Sequence, residues 1–424
     1  MKTKHLLFAV VGAGLLATSS CTKTKGEITM TYSKASAVYA DLDEIRNMPL
    51  VASARSINDP GKIYIGDKFL LIGEKEEGIH VFDNTNPNNP VAISFLQLPM
   101  TREFYVDGNF IYAEGHYDFM KINMADMYNP TLVSRVEYAF GESRQNDQGQ
   151  DIIGFNYETV TETFELGSPE AEALENDTRL YYDYQENLIP VATVPSSFVG
   201  AGGDVKGTLN KITTLNNYAY VVGDNEVYVF SDNGNSMAYV NRIYTNASDV
   251  ETIYPYDNYL YLGTQSSMEL YSTTDPSSPS HVSEYWHPTS CDPVLPTGDV
   301  AYLTLRSADN SGCAGDENTL DVLDMTDVFE PQPLNTVVMD SPYGIGLDGD
   351  YLWIGEGNNG LTLLNNADPT NPTIIKTFTG VQAYDVIPNP YQANAIYVTG
   401  DNGMELYEVD YNTLTITPVT AINY

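Results

Sequence analysis

The sequence predicts an all-β protein, a single β-propeller of seven four-stranded blades, with six or eight within the tolerance of the count, and one inserted β-hairpin or cap. The first observation is a repeat of about 41 residues. The residue that follows each tight turn and opens a hydrophobic strand recurs at Lys68, Asn109, Asn217, Asn258, Asp299, Asp350 and Asn394. The steps 68 to 109, 217 to 258 and 258 to 299 are each 41 residues. The second is an aromatic slot three residues further on, filled by Tyr112, Tyr220, Tyr261, Tyr302, Trp353 and Tyr397, with Leu71 in the remaining repeat. The third is turn punctuation between short apolar runs. A repeat of this length cannot bury both faces of one small sheet alone, so neighbouring copies must cover each other.

The chain opens on Lys2 and Lys4, an apolar run from Leu6 to Ala17, and TSSC ending at Cys21. The run is too short for a membrane span and reads as a signal peptide over 1–21. Small residues directly before Cys21 point to lipoprotein processing, with Cys21 as the acylated residue; an ordinary signal peptide with a bystander cysteine is the alternative. Residues 22–45 are expected to form a flexible tether, and 46–424 the propeller.

Within one repeat, residues 62–99 divide into four apolar runs separated by turn residues. Gly66-Asp67, Asp107-Gly108, Asn216-Asn217, Asp257-Asn258 and Gly349-Asp350 join the first two strands, and such pairs tolerate the positive φ of tight hairpins. A polar turn, DNTNPNNP at 83–90, STTDPSSP at 272–279 and NNADPTNP at 365–372, separates the third strand from the fourth. Its prolines fix φ and lack a donor, which stops one strand before the next begins. Alternation is weak in LLIG, YVVG and LYLG, as suits sheets covered on both faces. The aromatic slot then reads as packing between blades rather than as a platform for a sugar. Repeats are expected at 62–99, 103–137, 209–245, 249–288, 292–340, 343–379 and 381–424. Residues 48–57 look like a spare fourth strand that could pair with the last blade and close the ring, although LTITPVTAINY at the C-terminus has the same character.

GIHVFDNTNPNNPVAI and LTLLNNADPTNPTIIKTF resemble LVIVD repeats, found in secreted and surface propellers of Bacteroidetes-type bacteria. The resemblance spans most of 46–424 and is strongest in the first, fourth and sixth repeats. It implies the fold, and says little of function. The third and seventh repeats lack the D-P-x-x-P turn.

The stretch 138–208 interrupts the repeats between the second and third. Two strand-like runs, 151–166 and 178–194, flank a segment with a helix-like middle, so a hairpin or small cap within the propeller is expected. GAGGDVKG at 200–207 lacks the spacing of a phosphate loop.

Cys21 aside, Cys291 and Cys313 remain, and in an exported chain they are expected to pair across the loop 306–318; a free or reactive thiol is the alternative. Two cysteines are too few for a structural zinc site. The formal net charge is −37, and about −39 once Lys2 and Lys4 leave with the leader. Nucleic acid and anionic polysaccharide would be repelled by such a surface. Solubility in a salty milieu accounts for it, and Ca²⁺ held by loop carboxylates is the sharper possibility, although no EF-hand-like loop is present.

Function in propellers concentrates where loops surround the central channel. The repeat register places Arg102, Asp292 and Tyr343 at entries to first strands, and Glu114, His116, Arg306 and Glu356 in loops after second strands, all on one face. Glu74 and His287 join that set, while His80 and His281 fall within strands as packing or edge residues. Such a cluster suits an anionic or sugar-like ligand, or acid–base chemistry. H-E-x-x-H, G-x-S-x-G and nucleotide fingerprints are absent. No catalytic residue, metal or cofactor is assigned. The expected activity is that of a non-enzymatic binding module for an envelope protein or glycan, lipid-anchored to the outer membrane and facing either the surface or the periplasm. A glycan-active hydrolase or lyase working at the channel mouth is the alternative.

Overall fold

The computed structural model describes residues 26–115, 117–141, 145–174, 179–183, 185, 187–189, 210–223, 225–247, 250–287, 293–307 and 318–424. They form eight mostly four-stranded sheets and two short helices. Seven sheets are antiparallel, here sheets 1 to 7, spanning 51–97, 104–136, 212–244, 250–286, 294–338, 345–378 and 385–423; sheets 2 to 7 are four-stranded meanders in chain order and sheet 1 is such a meander with one added strand. These are the seven repeats read from the sequence. The eighth sheet answers the open question of the insertion, and it changes the picture of the N-terminus.

Two-residue turns between first and second strands carry the positive φ expected of them, +57° at Gly108, +54° and +64° at Asn216 and Asn217, and +51° at Asp257. Residues that tolerate the left-handed region are needed there because the primed turn matches the twist of the flanking strands. The polar turn after the third strand closes with Asn89 N–H on Asn86 O (2.9 Å), Ser278 N–H on Asp275 O (3.1 Å) and Asn371 N–H on Asp368 O (3.0 Å). All seven sheets also share a register shift between third and fourth strands, as at Val81/Phe82 and Leu363/Leu364. A bulge there adds right-handed twist and swings the outer strand away from the inner ones.

The aromatic slot is buried in every repeat, with Leu71, Tyr220, Tyr302 and Trp353 fully inaccessible. Apolar clusters join each sheet to the next. Leu71 packs with Phe104 and Ile111, Tyr112 with Phe230, Tyr220 with Leu260, Tyr261 with Leu303, Tyr302 with Leu352, and Trp353 with Ile396. A further cluster joins Ile63 and Ile72 of sheet 1 to Tyr397 and Leu406 of sheet 7. The polar tips of the slot reach the following sheet as well: Tyr220 Oη donates to Pro276 O (2.9 Å), and Tyr302 Oη to Asn366 Oδ1 (2.9 Å). Burying an aromatic ring contributes roughly 1.5–3 kcal/mol, and its tip must find a partner once water is gone.

Two expectations are corrected. Val51–Ser53, within the stretch read as a possible closing strand, pairs with Val91–Gln97 as a fifth strand of sheet 1, while sheet 7 completes itself with Thr415–Asn423. The tether read at 22–45 contains a 14-residue strand, Glu27–Ala40, and the start of a helix, Leu42–Arg46. That strand alternates threonine and serine with larger residues, and it pairs in parallel with Arg179–Tyr182 of the insertion. The sheet runs Asp151–Glu165, Glu27–Ala40, Arg179–Tyr182, Leu188–Ile189. The helix-like middle of the insertion is the helix Pro169–Leu174. Among the described residues, 26–36 and 156–189 make a compact unit of their own, and 37–155 with 210–424 make the other. Inside the smaller unit, Tyr32, Leu174, Leu180 and Tyr182 form an apolar cluster, and Tyr32 Oη donates to Glu162 Oε2 at 2.6 Å. In the larger unit, Arg46 grips Asp118 through both carboxylate oxygens at 2.8 and 2.9 Å, which fixes the short helix to sheet 2.

Candidate functional site

First strands of successive sheets lie side by side, as the innermost strands of a propeller do around its channel. At one level of this ring, set by backbone pairing with the second strands, stand Lys62, Glu103, Lys211, Thr252, Pro293, Gly344 and Asp385. Read around the ring from sheet 7, the charges alternate: Asp385, Lys62, Glu103, Lys211. Sheets 4, 5 and 6 contribute no charge at this level. Each charged residue directly precedes the first apolar residue of its strand, in Lys62-Ile63, Glu103-Phe104, Lys211-Ile212 and Asp385-Val386.

Lys62, Glu103 and Asp385 are buried. The Lys62 ammonium hydrogen-bonds Asn210 Oδ1, which reaches past sheet 2 to the entrance of sheet 3. Burial pushes the Glu103 carboxyl up to about 7, against the pull of Lys62 and Lys211. Burial brings the Lys62 ammonium down to about 8, against Glu103 and Asp385. Desolvation disfavours either charge, and the opposite neighbours only partly offset it. Among the described residues Glu103 Oε2 has no hydrogen-bond partner, although only 6% of the residue is exposed. A buried carboxylate oxygen left open is costly and marks a place where something else can bind.

The residues singled out from the sequence fall into three groups. Arg102 and Glu114 adjoin this ring: Arg102 Nη2 meets Glu76 Oε1 at 2.5 Å, and burial raises the half-buried Glu114 carboxyl while Arg102 and Lys211 oppose it. Arg306 and Tyr343 come together on sheets 5 and 6, with the guanidinium 4.1 Å from the ring centre. Tyr343 in turn meets Tyr384 edge-on at 5.1 Å. Glu356 has another use. Its carboxylate accepts the Asp340 and Ser341 amides (2.7 and 3.2 Å) and the Thr362 hydroxyl (2.5 Å), so it fastens the connection between sheets 5 and 6.

Glu74 does the same for the chain entering sheet 1, accepting Asn58 and Asp59 amides and facing His80 Nε2 at 2.8 Å. Glu269 accepts the Asn246 and Ala247 amides before sheet 4. These three carboxylates are structural staples. His80 is a buried packing residue, as expected, and His281 lies exposed on an outer strand. His287 is buried. Cys21, His116, Cys291, Asp292 and Cys313 lie outside the described residues, so the lipid site and the cysteine pair are untouched by these observations. Among the described residues no three His, Cys, Asp or Glu side chains converge as a metal site would require, and none of the described helices is long and apolar enough to cross a membrane.

Sequence reasoning missed Lys62, Glu103, Lys211 and Asp385. The signal was available: a charge one position before the first apolar residue of four inner strands, alternating in sign from repeat to repeat.

No family model matches the chain, and no curated protein matches it. Solved structures do match in fold. A putative 6-phosphogluconolactonase from Bacteroides fragilis has a TM-score of 0.51 at 12% identity, covering 86% of this chain and 94% of that one. The WD40 domain of Neurospora crassa Pan2 has a TM-score of 0.50 at 9% identity over 81% and 86%. A Lactobacillus plantarum protein has a TM-score of 0.50 at 11% identity over 76% and 85%. WD40 repeats are propeller blades, so the chain has a β-propeller architecture. Identities this low speak for the fold alone.

Proposed function

We propose that this chain is a seven-bladed propeller of the LVIVD-repeat kind, exported and lipid-anchored through Cys21 at the outer membrane. In this reading it is a non-enzymatic module that binds an envelope protein or glycan at the mouth of its channel. The count of seven rests on the run of apolar clusters from sheet 1 to sheet 7 and back to sheet 1. The binding reading rests on the alternating ring with the open Glu103 Oε2, flanked by Arg102 and by Arg306 over Tyr343. Glu356, one of the carboxylates an acid–base reading would use, is already spent on backbone amides, as is Glu74.

The test compares wild type with Arg102→Ala and Arg306→Ala in quantitative binding to purified envelope glycans and outer-membrane proteins. Binding that is present in wild type and weakened in both variants supports the proposal; binding indifferent to both removes it. Metabolic labelling with an alkyne fatty acid should mark wild type and not Cys21→Ser. Alkylation without reductant should leave Cys291 and Cys313 unmodified if they are bridged.

A second reading, hydrolase or lyase, draws on Glu103 and Glu114, neighbouring carboxyls both raised by burial. It requires new reducing ends or unsaturated products from a glycan, lost in Glu103→Gln. A glycan bound but left intact decides for the binding module.

A further inference from the structure

At the other end of the inner strands, the seam between sheets 2 and 3 differs from its counterparts. Where the following sheet carries the D-P turn, that turn covers the preceding aromatic slot: Tyr220 Oη donates to Pro276 O, and Tyr302 Oη to Pro369 O (3.2 Å). Sheet 7 lacks the turn, and there Tyr411 takes its place. It stacks on Tyr351 at 4.1 Å, accepts from Trp353 Nε1 and donates to Asp348. Sheet 3 also lacks the turn, having only the short 233–236 segment, and among the described residues no aromatic ring stands where Tyr411 does in sheet 7. What remains is a cavity of about 550 Å³, within the range of small-ligand sites.

Its walls are Tyr105, Phe110, Tyr112 and Tyr218. Its floor is an anomaly of sequence. Lys121 occupies the third-strand position that is Val81, Val229, Leu270, Val322, Leu363 or Leu406 in the other sheets. The ammonium is buried, meets Asp232 Oδ2 at 2.6 Å, Oδ1 at 2.9 Å and Gly234 O at 3.2 Å, and lies 4.1 Å from the Phe110 ring centre. All three of its donors are therefore engaged. Asp232 also takes the Tyr112 hydroxyl (2.6 Å) and the Gly234 amide (2.8 Å). The floor is a closed, neutral pair that asks for no counter-charge.

The rim supplies the remaining polarity, from Asp107, Asn109, Asn216 and Asn217 on the two hairpin turns. A single rim carboxylate, on a chain of net charge −37, excludes an anion and is too little for a divalent cation. The rim amides stand open to solvent, where a purely apolar ligand would gain nothing from them. A ring with one apolar face and hydroxyls along its edge satisfies both surfaces. From the aromatic walls, the self-neutralised floor and the amide rim, we infer that the cavity between sheets 2 and 3 binds a neutral saccharide. The site stands apart from the channel mouth and does not depend on the function proposed for it.

Saturation-transfer NMR on the full mature chain tests this, with glucose, galactose, mannose, N-acetylglucosamine and their β-linked disaccharides as probes. At least one probe should receive saturation. Asn109→Trp, which adds bulk at the exposed rim, and Tyr218→Ala, which removes a wall, should each weaken that probe by about tenfold or more. Thr373→Ala, exposed on the outer strand of sheet 6, should leave it unchanged. The inference is overturned if the whole panel is silent, if Asn109→Trp binds as wild type does, or if Thr373→Ala weakens binding as much as Asn109→Trp does.

Discussion

Asp232→Ala should be among the most damaging single substitutions in the chain. It deletes the carboxylate that faces Lys121 among the described residues, leaving a buried ammonium with the Gly234 carbonyl at 3.2 Å as its remaining hydrogen-bond partner of the three. Removing one partner of a buried pair costs about 3–5 kcal/mol, because the other charge stays uncompensated. The Tyr112 hydroxyl loses its acceptor at the same time, which adds roughly 1–3 kcal/mol if water does not replace it. One kcal/mol moves the melting temperature of a 150–250-residue domain by roughly 2–4 °C, and by less in a larger one. A fall on the order of 5–10 °C is therefore expected in calorimetry of residues 22–424. The double variant Lys121→Leu with Asp232→Asn restores the side chain that three other sheets use and leaves no bare charge. It should lie within about 1 kcal/mol of wild type, since apolar replacement of a buried pair is often neutral. A loss below about 1 kcal/mol in Asp232→Ala would refute the picture of a dry, mutually dependent pair. So would a double variant as unstable as the single one.

Glu103 has a folded pKa of about 7 against an ordinary 4.5. A raised carboxyl pKa contributes stability that is fully present below about pH 4.5 and is lost as pH rises through 7. Over that window wild type should lose roughly 3 kcal/mol relative to Glu103→Gln, by the linkage between proton affinity and folding; urea titrations at pH 4 and pH 8 measure it, and parallel curves contradict it. Glu356→Ala strips the acceptor from the Asp340 and Ser341 amides and should cost about 2 kcal/mol, with faster hydrogen exchange at those two amides and no change at the Glu269 staple. Tyr220→Phe removes one hydrogen bond to Pro276 O while keeping the ring, so about 1 kcal/mol should be lost. An unchanged unfolding midpoint would mean that the tip of this slot does not matter to the seam.

The architecture was legible because it is repeated. Seven copies of turn, slot and strand average out local ambiguity, and the slot at Tyr220, Tyr261 and Tyr302 is as buried as its periodicity implied. Departures from the repeat were harder to read. The strand Glu27–Ala40 is rich in Thr, Ser and Lys, and it is stabilised by partners more than 100 residues away, such as Thr163 against Thr29 and Thr161 against Thr31. Nothing local in residues 22–45 marks that pairing, so composition alone reads as a tether. Glu356 looked like a loop carboxylate available to a ligand because its neighbours in sequence are Gly355 and Gly357. Its partners, the amides of Asp340 and Ser341, come from a connection that only the folded chain brings close. The Lys121 floor carries a further lesson. It was visible as a single charged residue in an otherwise apolar column of the repeat, and such a deviation carries more information about chemistry than the consensus does.

The first and last sheets meet without exchanging a strand: Val51–Ser53 stays with its own sheet, and Thr415–Asn423 with the other. This boundary is therefore held by side-chain contacts, of Ile63, Ile72, Tyr397 and Leu406 among others, with no backbone ladder bolted across it by a borrowed segment. Under a pulling force applied through the N-terminus, or in slow breathing at equilibrium, the run of seven sheets should part here before it parts anywhere in its middle. The same unlatched join makes the molecule tolerant of being re-cut. New termini could be opened at another seam, or a blade duplicated, without unpicking a shared sheet.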